Sequence, residues 1–210
     1  MLKKPIIVLY IFLICGSCKE TKKEYYPNGK LRYSCEIKSG KKNGFEKRWF
    51  ENGRIQSEFE YKDGLLDGLA RRWFYNGNIE SEDTYIHNKL NGTSTIWHED
   101  GYKIIEKTYI NDTLNGMYKE WHSNGQLKAE GTFTNALFHG KWIYYSPTGL
   151  VTGEGYFDKG TGVLKGYDIK GLLIREVSYV DNKKNGKEKH FDTLGNITKI
   201  IVYKDDKITK

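Results

Sequence analysis

Glutamates recur down this chain at a fixed interval of 24 residues, shortened to 22 at the last step. Carboxylates are the groups that general acid–base catalysis and calcium binding require. In a sheet of hairpins, copies in adjacent hairpins lie two strand spacings apart, about 9 to 10 Å, which is too far to share a proton. A basic residue opposite most of these carboxylates accounts for them locally, so we expect ion pairs here and no catalytic residues. The series is Glu58, Glu82, Glu106, Glu130, Glu154 and Glu176.

Histidine and cysteine offer no better arrangement for chemistry. His98 and His122 occupy equivalent places in neighbouring units, so their backbones should lie about 10 Å apart, whereas zinc ligands lie near 2 Å from the ion. The chain has three cysteines and no Gly-x-Ser-x-Gly or His-Glu-x-x-His motif. Cys35 falls in the middle of a strand pattern, where a free thiol behaves as a small apolar residue. We therefore expect no enzyme activity, no cofactor and no metal ligands.

Two series of glycines share the same period and define the organisation of the chain. A period in this range is the mark of a repeat array, in which each unit packs mainly on its neighbours. An aromatic residue precedes each glycine of the first series by four positions. Residues 25–210 are thus predicted to form one elongated domain of about eight units. The first series is Gly29, Gly53, Gly77, Gly101, Gly125, Gly149, Gly171 and Gly195, and the second is Gly44, Gly68, Gly92, Gly116, Gly140, Gly162 and Gly186.

Asn-Gly pairs between aromatic and β-branched runs indicate β-hairpins. Asn52-Gly53 is typical of the first series, and it predicts a two-residue type I′ turn because both residues tolerate positive φ. The glycines of the second series, as in Asp67-Gly68, are interpreted as the connections to the next hairpin. The predicted fold is all-β, a single meandering sheet of antiparallel hairpins. Its register places Lys47 opposite Glu58, Arg71 opposite Glu82, Lys119 opposite Glu130 and Lys165 opposite Glu176, while Thr95 and Ile143 interrupt the pairing.

The predicted register also aligns four tryptophans on one face. Two interpretations stay open: the rings stack on their neighbours and hold the sheet together, or part of the row is exposed as a platform for sugar rings, lipid headgroups or a protein partner. We take this row as the candidate binding surface. The row consists of Trp49, Trp73, Trp97 and Trp121.

The charge of the chain argues against nucleic acid as a partner. The formal net charge is +7, from 34 basic and 27 acidic residues. Lysine and glutamate alternate along the repeats, whereas a nucleic-acid binder shows clustered basic residues. We expect a monomeric protein with a solvated, mixed-charge surface.

The first residues have the pattern of an export signal. Lys3 and Lys4 precede an apolar run that is too short for an ordinary spanning helix, which needs roughly 20 apolar residues. The run ends in Gly16, Ser17 and Cys18, which resembles the lipobox of bacterial lipoproteins, with Cys15 where leucine is usual.

This resemblance implies a signal peptide over residues 1–17, a lipidated Cys18 and a polar tether over residues 18–24. The protein would then be lipid-anchored in the bacterial cell envelope, on the extracytoplasmic side. The alternative is an uncleaved signal anchor.

The repeats from Tyr25 to Tyr203 resemble the bacterial variant of the MORN repeat. The residues that carry the resemblance are an aromatic, three residues and a glycine, then a polar run with glutamate and an aromatic, then x-x-Gly. The resemblance implies an extended sheet of hairpins and a non-enzymatic interaction module, and it carries no active site onto any residue.

Three functions remain open at this point. The first is an envelope-tethered binding or scaffold module for a protein or envelope component. The second is an antitoxin or immunity role, since many bacterial members of this family are labelled as antitoxins. The third is a carbohydrate or cell-wall binding module that uses the tryptophan row.

Overall fold

The computed structural model describes residues 19–209, which form seventeen strands and no helix. Every strand is antiparallel to the strand before it and the strand after it, in one sheet. The predicted meander of hairpins is confirmed. The strands are β1 Lys19–Tyr25, β2 Leu31–Lys38, β3 Lys41–Trp49, β4 Ile55–Lys62, β5 Leu65–Trp73, β6 Ile79–Ile86, β7 Lys89–Trp97, β8 Lys103–Ile110, β9 Thr113–Trp121, β10 Leu127–Thr134, β11 Leu137–Tyr145, β12 Val151–Asp158, β13 Thr161–Tyr167, β14 Leu173–Val180, β15 Lys183–Phe191, β16 Ile197–Lys204 and β17 Lys207–Ile208.

The predicted signal peptide of residues 1–17 and the predicted lipidation site Cys18 lie outside the described residues. Residues 19–24, which were interpreted as a tether, instead belong to β1 and pair with β2 from Lys19 opposite Lys38 to Glu24 opposite Tyr33. All seven residues of β1 are exposed. No helix long and apolar enough to cross a membrane occurs in residues 19–209.

The hairpin loops at Asn-Gly differ from the predicted type I′ turns. In the loop from Phe50 to Arg54, the amide of Phe50 donates to the carbonyl of Arg54 at 2.9 Å and the amide of Gly53 donates to the carbonyl of Phe50 at 2.9 Å. Gly53 has φ +90°, but Asn52 is not among the residues with positive φ. The prediction was wrong because the loop has three residues between its closing pair, with the left-handed conformation only at glycine.

A β-bulge after each loop restores the register that a two-residue turn would have produced. Trp49 pairs with Ile55, whereas Arg48 pairs with Ser57, so Gln56 is the extra residue. Lys47 therefore still faces Glu58. The predicted cross-strand partners are correct for this compensating reason.

Type I′ turns do occur, at the opposite edge of the sheet. His87 and Asn88, for example, have φ values of 49° and 68°. This edge was predicted to turn at the second glycine series, which was wrong, since Gly68, Gly92, Gly116 and Gly186 lie inside strands. The turn residues are Ser39-Gly40, Asp63-Gly64, His87-Asn88, Asn111-Asp112, Asn135-Ala136, Lys159-Gly160, Asp181-Asn182 and Asp205-Asp206.

The second glycine series is explained by irregularities within the strands. Gly68 has φ +129°, and a Cβ added to it would lie 2.1 Å from Oε2 of Glu60 on the preceding strand. The register of β4 and β5 shifts at this place, between Phe59 and Tyr61. Glycine is needed here because the strand bulges with positive φ against a neighbouring side chain.

One face of the sheet, the core face, carries most of the deeply buried side chains. It contains the row of cross-strand partners that runs from Cys35 through Ala70 to Val177. Since the described residues form a single sheet, side chains on this face are covered by their neighbours on adjacent strands. Its apolar members with the lowest exposure are Cys35, Ile37, Ala70, Ala129, Trp142, Phe157 and Val177.

Trp142 is the centre of the aromatic packing on the core face. It is 2% exposed, and its Nε1 donates to the carbonyl of Thr132 at 3.1 Å. Its ring centroid lies 4.6 Å from that of Phe138 and 5.0 Å from that of Phe133. The largest aromatic cluster of the described residues is thus around β9 to β14, and the predicted tryptophan row does not contribute to it.

The unit between Gly149 and Gly171, here called the short repeat, is two residues shorter than the others. Next to it, the side chain of one asparagine connects the turns of the type I′ edge. Oδ1 of Asn182 accepts from the amide of Phe138 at 2.8 Å, and its Nδ2 donates to the carbonyl of Ala136 at 2.8 Å. Asn182 thereby joins turns that are two hairpins apart. The carbonyl of Gly160, in the turn between them, accepts from the amide of Asn182 at 3.0 Å.

Candidate binding surface

The face opposite the core face, here called the ladder face, carries the periodic glutamates. Lys47 Nζ lies 2.6 Å from Glu58 Oε2, and Arg71 Nε lies 2.6 Å from Glu82 Oε2. Lys119 faces Glu130 and Lys165 faces Glu176 in register, as predicted. Opposite charges facing across two strands contribute roughly 0.2 to 1 kcal/mol each. The ladder face is therefore held in part by local ion pairs.

Two tyrosines supply partners that the sequence did not reveal. The hydroxyl of Tyr145 donates to Glu130 Oε1 at 2.8 Å, and that of Tyr167 donates to Glu154 Oε1 at 2.9 Å. Lys141 Nζ lies 3.2 Å from the other carboxylate oxygen of Glu154. The hydrogen bonds from Tyr167 and Lys141 lower the pKa of Glu154. Both oxygens of this carboxylate are thus engaged within the protein.

The histidines have separate, local roles. The ring of His98 stacks on Tyr102, with centroids 4.6 Å apart. The Nε2 of His122 is hydrogen-bonded to the carbonyl of Tyr145 at 2.9 Å. Within residues 19–209, no group of three or more His, Cys, Asp or Glu side chains could hold a metal ion.

Two buried glutamates on the core face each lie against basic side chains. Glu188 is 4% exposed, with Lys184 Nζ at 2.8 Å and His190 Nε2 at 3.1 Å from its oxygens. Burial raises the pKa of Glu188, but its hydrogen bond with Lys184 and the nearby positive charges outweigh that effect, and the pKa is lowered. Glu46 occupies the equivalent position in β3, where Lys42 and Arg48 neutralise it. Both glutamates therefore form ion pairs within the protein.

The predicted row of Trp49, Trp73, Trp97 and Trp121 is half-buried throughout. None of the four rings belongs to an aromatic pair of the described residues. Lys103 Nζ lies 5.4 Å from the centroid of Trp121. Binding by this row stays a prediction.

Trp73 lines an open groove of about 520 Å³ near the hairpin loops of β3–β4 and β5–β6. The rings of Phe50 and Tyr75 meet there edge to face, with centroids 5.2 Å apart, and Tyr75 is 59% exposed. Polar side chains converge on the same groove. Its lining consists of Arg48, Phe50, Gln56, Ser57, Phe59, Arg72, Trp73, Phe74, Tyr75 and Glu80.

A second groove, of about 530 Å³, lies on the ladder face at the short repeat. Tyr156 stands between Lys141 and Val163 in register, and it is 73% exposed. Its cross-strand neighbours Lys141 and Val163 leave most of the ring uncovered. Sequence reasoning missed Tyr156. No pattern within its own strand marked the residue as exposed, since the side chains on neighbouring strands decide how far the ring is covered.

The apolar surface continues from Tyr156 towards β9. A smaller groove of about 320 Å³ shares Lys141 with the Tyr156 groove and is lined by Met117 and Ile143. Met117 is 53% exposed. Ile143 is one of the two residues predicted to interrupt the charged ladder, and it faces Glu130 and Glu154. An apolar strip thus lies beside the charged ladder and includes one residue of it. The strip is defined by Met117, Ile143, Tyr156 and Val163.

Comparison with known families agrees with this geometry. The MORN repeat variant family matches residues 21–38, 42–63, 66–87 and 114–135. Each segment corresponds to one hairpin, namely β1–β2, β3–β4, β5–β6 and β9–β10.

These four segments are similar to the MORN repeat variant. The intervening hairpin β7–β8 and the hairpins after β10 continue the same strand order and loop geometry. None of the curated proteins compared with the chain matches it. The similarity to MORN repeats thus agrees with the repeated hairpin geometry of the sheet.

Proposed function

We propose that this MORN repeat chain is a non-catalytic binding module for a protein partner, tethered to the bacterial cell envelope through a lipid on Cys18. The observation that carries the proposal is the apolar strip on the ladder face, which lies beside the charged and locally paired row. Exposed apolar patches rimmed by polar residues mark interaction sites on soluble domains.

The arrangement of polar groups supports binding in preference to catalysis. Catalysis needs unlike polar groups converging on one reacting atom, with a base near its nucleophile. In the described residues, the ladder glutamates 58, 82, 154 and 176 form ion pairs with neighbouring basic residues. A repeated sheet with such pairing offers an extended surface for contact.

The test is a cross-linking pull-down of the full-length, membrane-extracted protein from its native cells, with partners identified by mass spectrometry. We expect one stoichiometric protein partner. Recovery of wall material alone would contradict the proposal. A partner with toxic activity that this chain suppresses would establish the antitoxin role.

The membrane tether is tested separately with Cys18→Ala. The variant is expected to leave the membrane fraction and to lose detergent partitioning, because a multiply acylated cysteine supplies the anchoring free energy. Unchanged partitioning would refute lipidation at this residue.

A second candidate function is carbohydrate or cell-wall binding, which the groove at Trp73 favours. Several rings and polar side chains line this groove together, and sugar recognition uses both. Retention on peptidoglycan beads would then be lost in Trp73→Ala. Trp121→Ala is the matched control, since Lys103 lies over that ring. Equal retention of both variants would contradict this function.

A further inference from the structure

We infer that the apolar strip on the ladder face docks a polypeptide segment of the partner in which an apolar side chain is flanked by acidic ones. This inference rests on the proposed binding function and names the chemistry of the partner. The site has Tyr156 at its centre, with Val163, Ile143 and Met117 around it. Lys119, Lys141 and Lys165 form its rim.

The register fixes the layout of the docking site. Lys141, Tyr156 and Val163 lie side by side on β11, β12 and β13, and Ile143, Glu154 and Lys165 form the adjoining row. An apolar centre therefore adjoins positive charge on either side. A large, rigid ring that is mostly exposed is typical of the residues that dominate binding energy at interfaces.

The net charge of the site is positive. The linings of the two grooves carry three lysines, Lys119, Lys141 and Lys165, against two glutamates, Glu130 and Glu154. Both carboxylate oxygens of Glu154 already have donors, from Tyr167 and from Lys141. Lysine ammonium groups only donate hydrogen bonds, so the rim favours an anionic acceptor.

A peptide segment suits this surface better than an anionic bilayer does. The glutamates of the ladder face lie on the same side of the sheet as Tyr156, on both flanks of the strip. A broad anionic surface would cover these carboxylates together with their basic partners, so the flanks would add no net attraction. A single segment confined to the strip meets mainly the lysines, which gives charge complementarity with an acidic peptide.

The direct test measures binding of defined peptides to the full-length protein by fluorescence polarisation. The probe is a short fluorescein-labelled peptide in which aspartates stand two residues before and two residues after a leucine, with serine between them, so that an extended chain presents these three side chains on one face. The comparison peptide carries lysine in place of aspartate. We expect binding of the aspartate peptide and at least tenfold weaker binding of the lysine peptide.

Variants locate the binding. Tyr156→Ala and Lys165→Glu are each expected to weaken binding of the aspartate peptide about tenfold or more. The controls are Tyr25→Ala, another exposed aromatic, and Lys41→Glu, an exposed lysine on β3, and both should bind as the unmodified protein does. Far-UV circular dichroism checks that each variant is folded.

Several outcomes would overturn the inference. These are absence of peptide binding, equal binding of both peptides, or equal effects of the site and control variants. Binding of phosphatidylglycerol vesicles that depends on Tyr156, without peptide binding, would assign the strip to lipid. If Tyr156→Ala recovers the same native partner as the unmodified protein, the inference fails and the proposed function stands. If neither the unmodified protein nor Tyr156→Ala recovers a partner in the pull-down, the proposed function itself fails.

Discussion

A Cβ placed on Gly131 would lie 2.2 Å from Cδ2 of Trp142, so the indole occupies the space that a side chain at Gly131 would need. Equivalent positions in other units carry Phe59, Asp83, Lys107 and Val177. The absence of a side chain at this one position thus allows Trp142 to be buried at 2% exposure.

Gly131→Ala is expected to destabilise the protein by about 1 to 3 kcal/mol, because the indole must shift within a packed cluster. Gly166→Ala is the matched control, since its Cβ would meet nothing closer than 3.6 Å and its φ is not positive. Urea unfolding measures both. Equal destabilisation would contradict the assigned role of Gly131.

Trp142→Ala should cost about 3 to 5 kcal/mol, the usual cost of removing a buried aromatic side chain. Trp97→Ala, at a half-buried ring outside the aromatic pairs, is expected to cost less. The measurement is again urea unfolding, followed by tryptophan fluorescence. A larger effect at Trp97 would show that the predicted tryptophan row holds the sheet together.

Asparagines at the hairpin loops link neighbouring repeats. Asn76 Oδ1 accepts from the amide of Asn78 at 2.9 Å, and its Nδ2 donates to the carbonyl of Glu99 in the next loop at 2.9 Å. We expect Asn76→Ala to destabilise the protein by about 1 to 3 kcal/mol, since each hydrogen bond contributes about 0.5 to 1.5 kcal/mol.

Asn28 is the control for this prediction. Its Oδ1 accepts from the amide of Lys30 at 3.0 Å, which is the same loop bond without the link to the next repeat. Asn28→Ala should therefore have the smaller effect in thermal unfolding. Indistinguishable shifts would mean that the link between loops adds nothing.

The pKa of Glu154 offers a test by titration. Since the folded-state pKa lies below its ordinary value, the ionised carboxylate stabilises the fold above the unfolded pKa, and this contribution is lost as the pH falls through the folded pKa. Tyr167→Phe removes the largest cause and should raise the pKa of Glu154 towards its ordinary value. Carboxyl-detected NMR measures it.

Tyr145→Phe is the matched control, because that hydroxyl donates to Glu130 instead. It should leave the pKa of Glu154 unchanged. Equal responses to the two substitutions would refute the assignment of the Tyr167 hydrogen bond.

Much of the architecture was readable from the periodicity. The strand pairing followed from it, because a side-chain period of two ties Lys47 to Glu58 once the hairpin is located. The turn types at the two edges did not follow, since Asn-Gly fits both a type I′ turn and a three-residue loop. With the bulge at Gln56, the three-residue loop gives the same strand register from Arg48 onwards as a two-residue turn would give.

The candidate site was only partly predictable. Ile143 was recognised as an interruption of the ladder, but the exposure of Tyr156 was not predicted, because the exposure of a ring depends on the side chains that neighbouring strands place beside it. The same reason explains why Trp142 was missed as the packing centre. Its burial depends on Gly131, which lies on the adjacent strand.

The sequence by itself determined the repeat, the strand order and the cross-strand charge pairs, because each follows from local spacing and from alternation along a strand. Only the tertiary structure decided which aromatic rings are covered and where an apolar strip lies beside the charged ladder. Those properties depend on side chains that meet across several strands, including bulges and missing side chains in neighbouring repeats. A regular spacing cannot encode them, since the functional surface lies where the repeats differ.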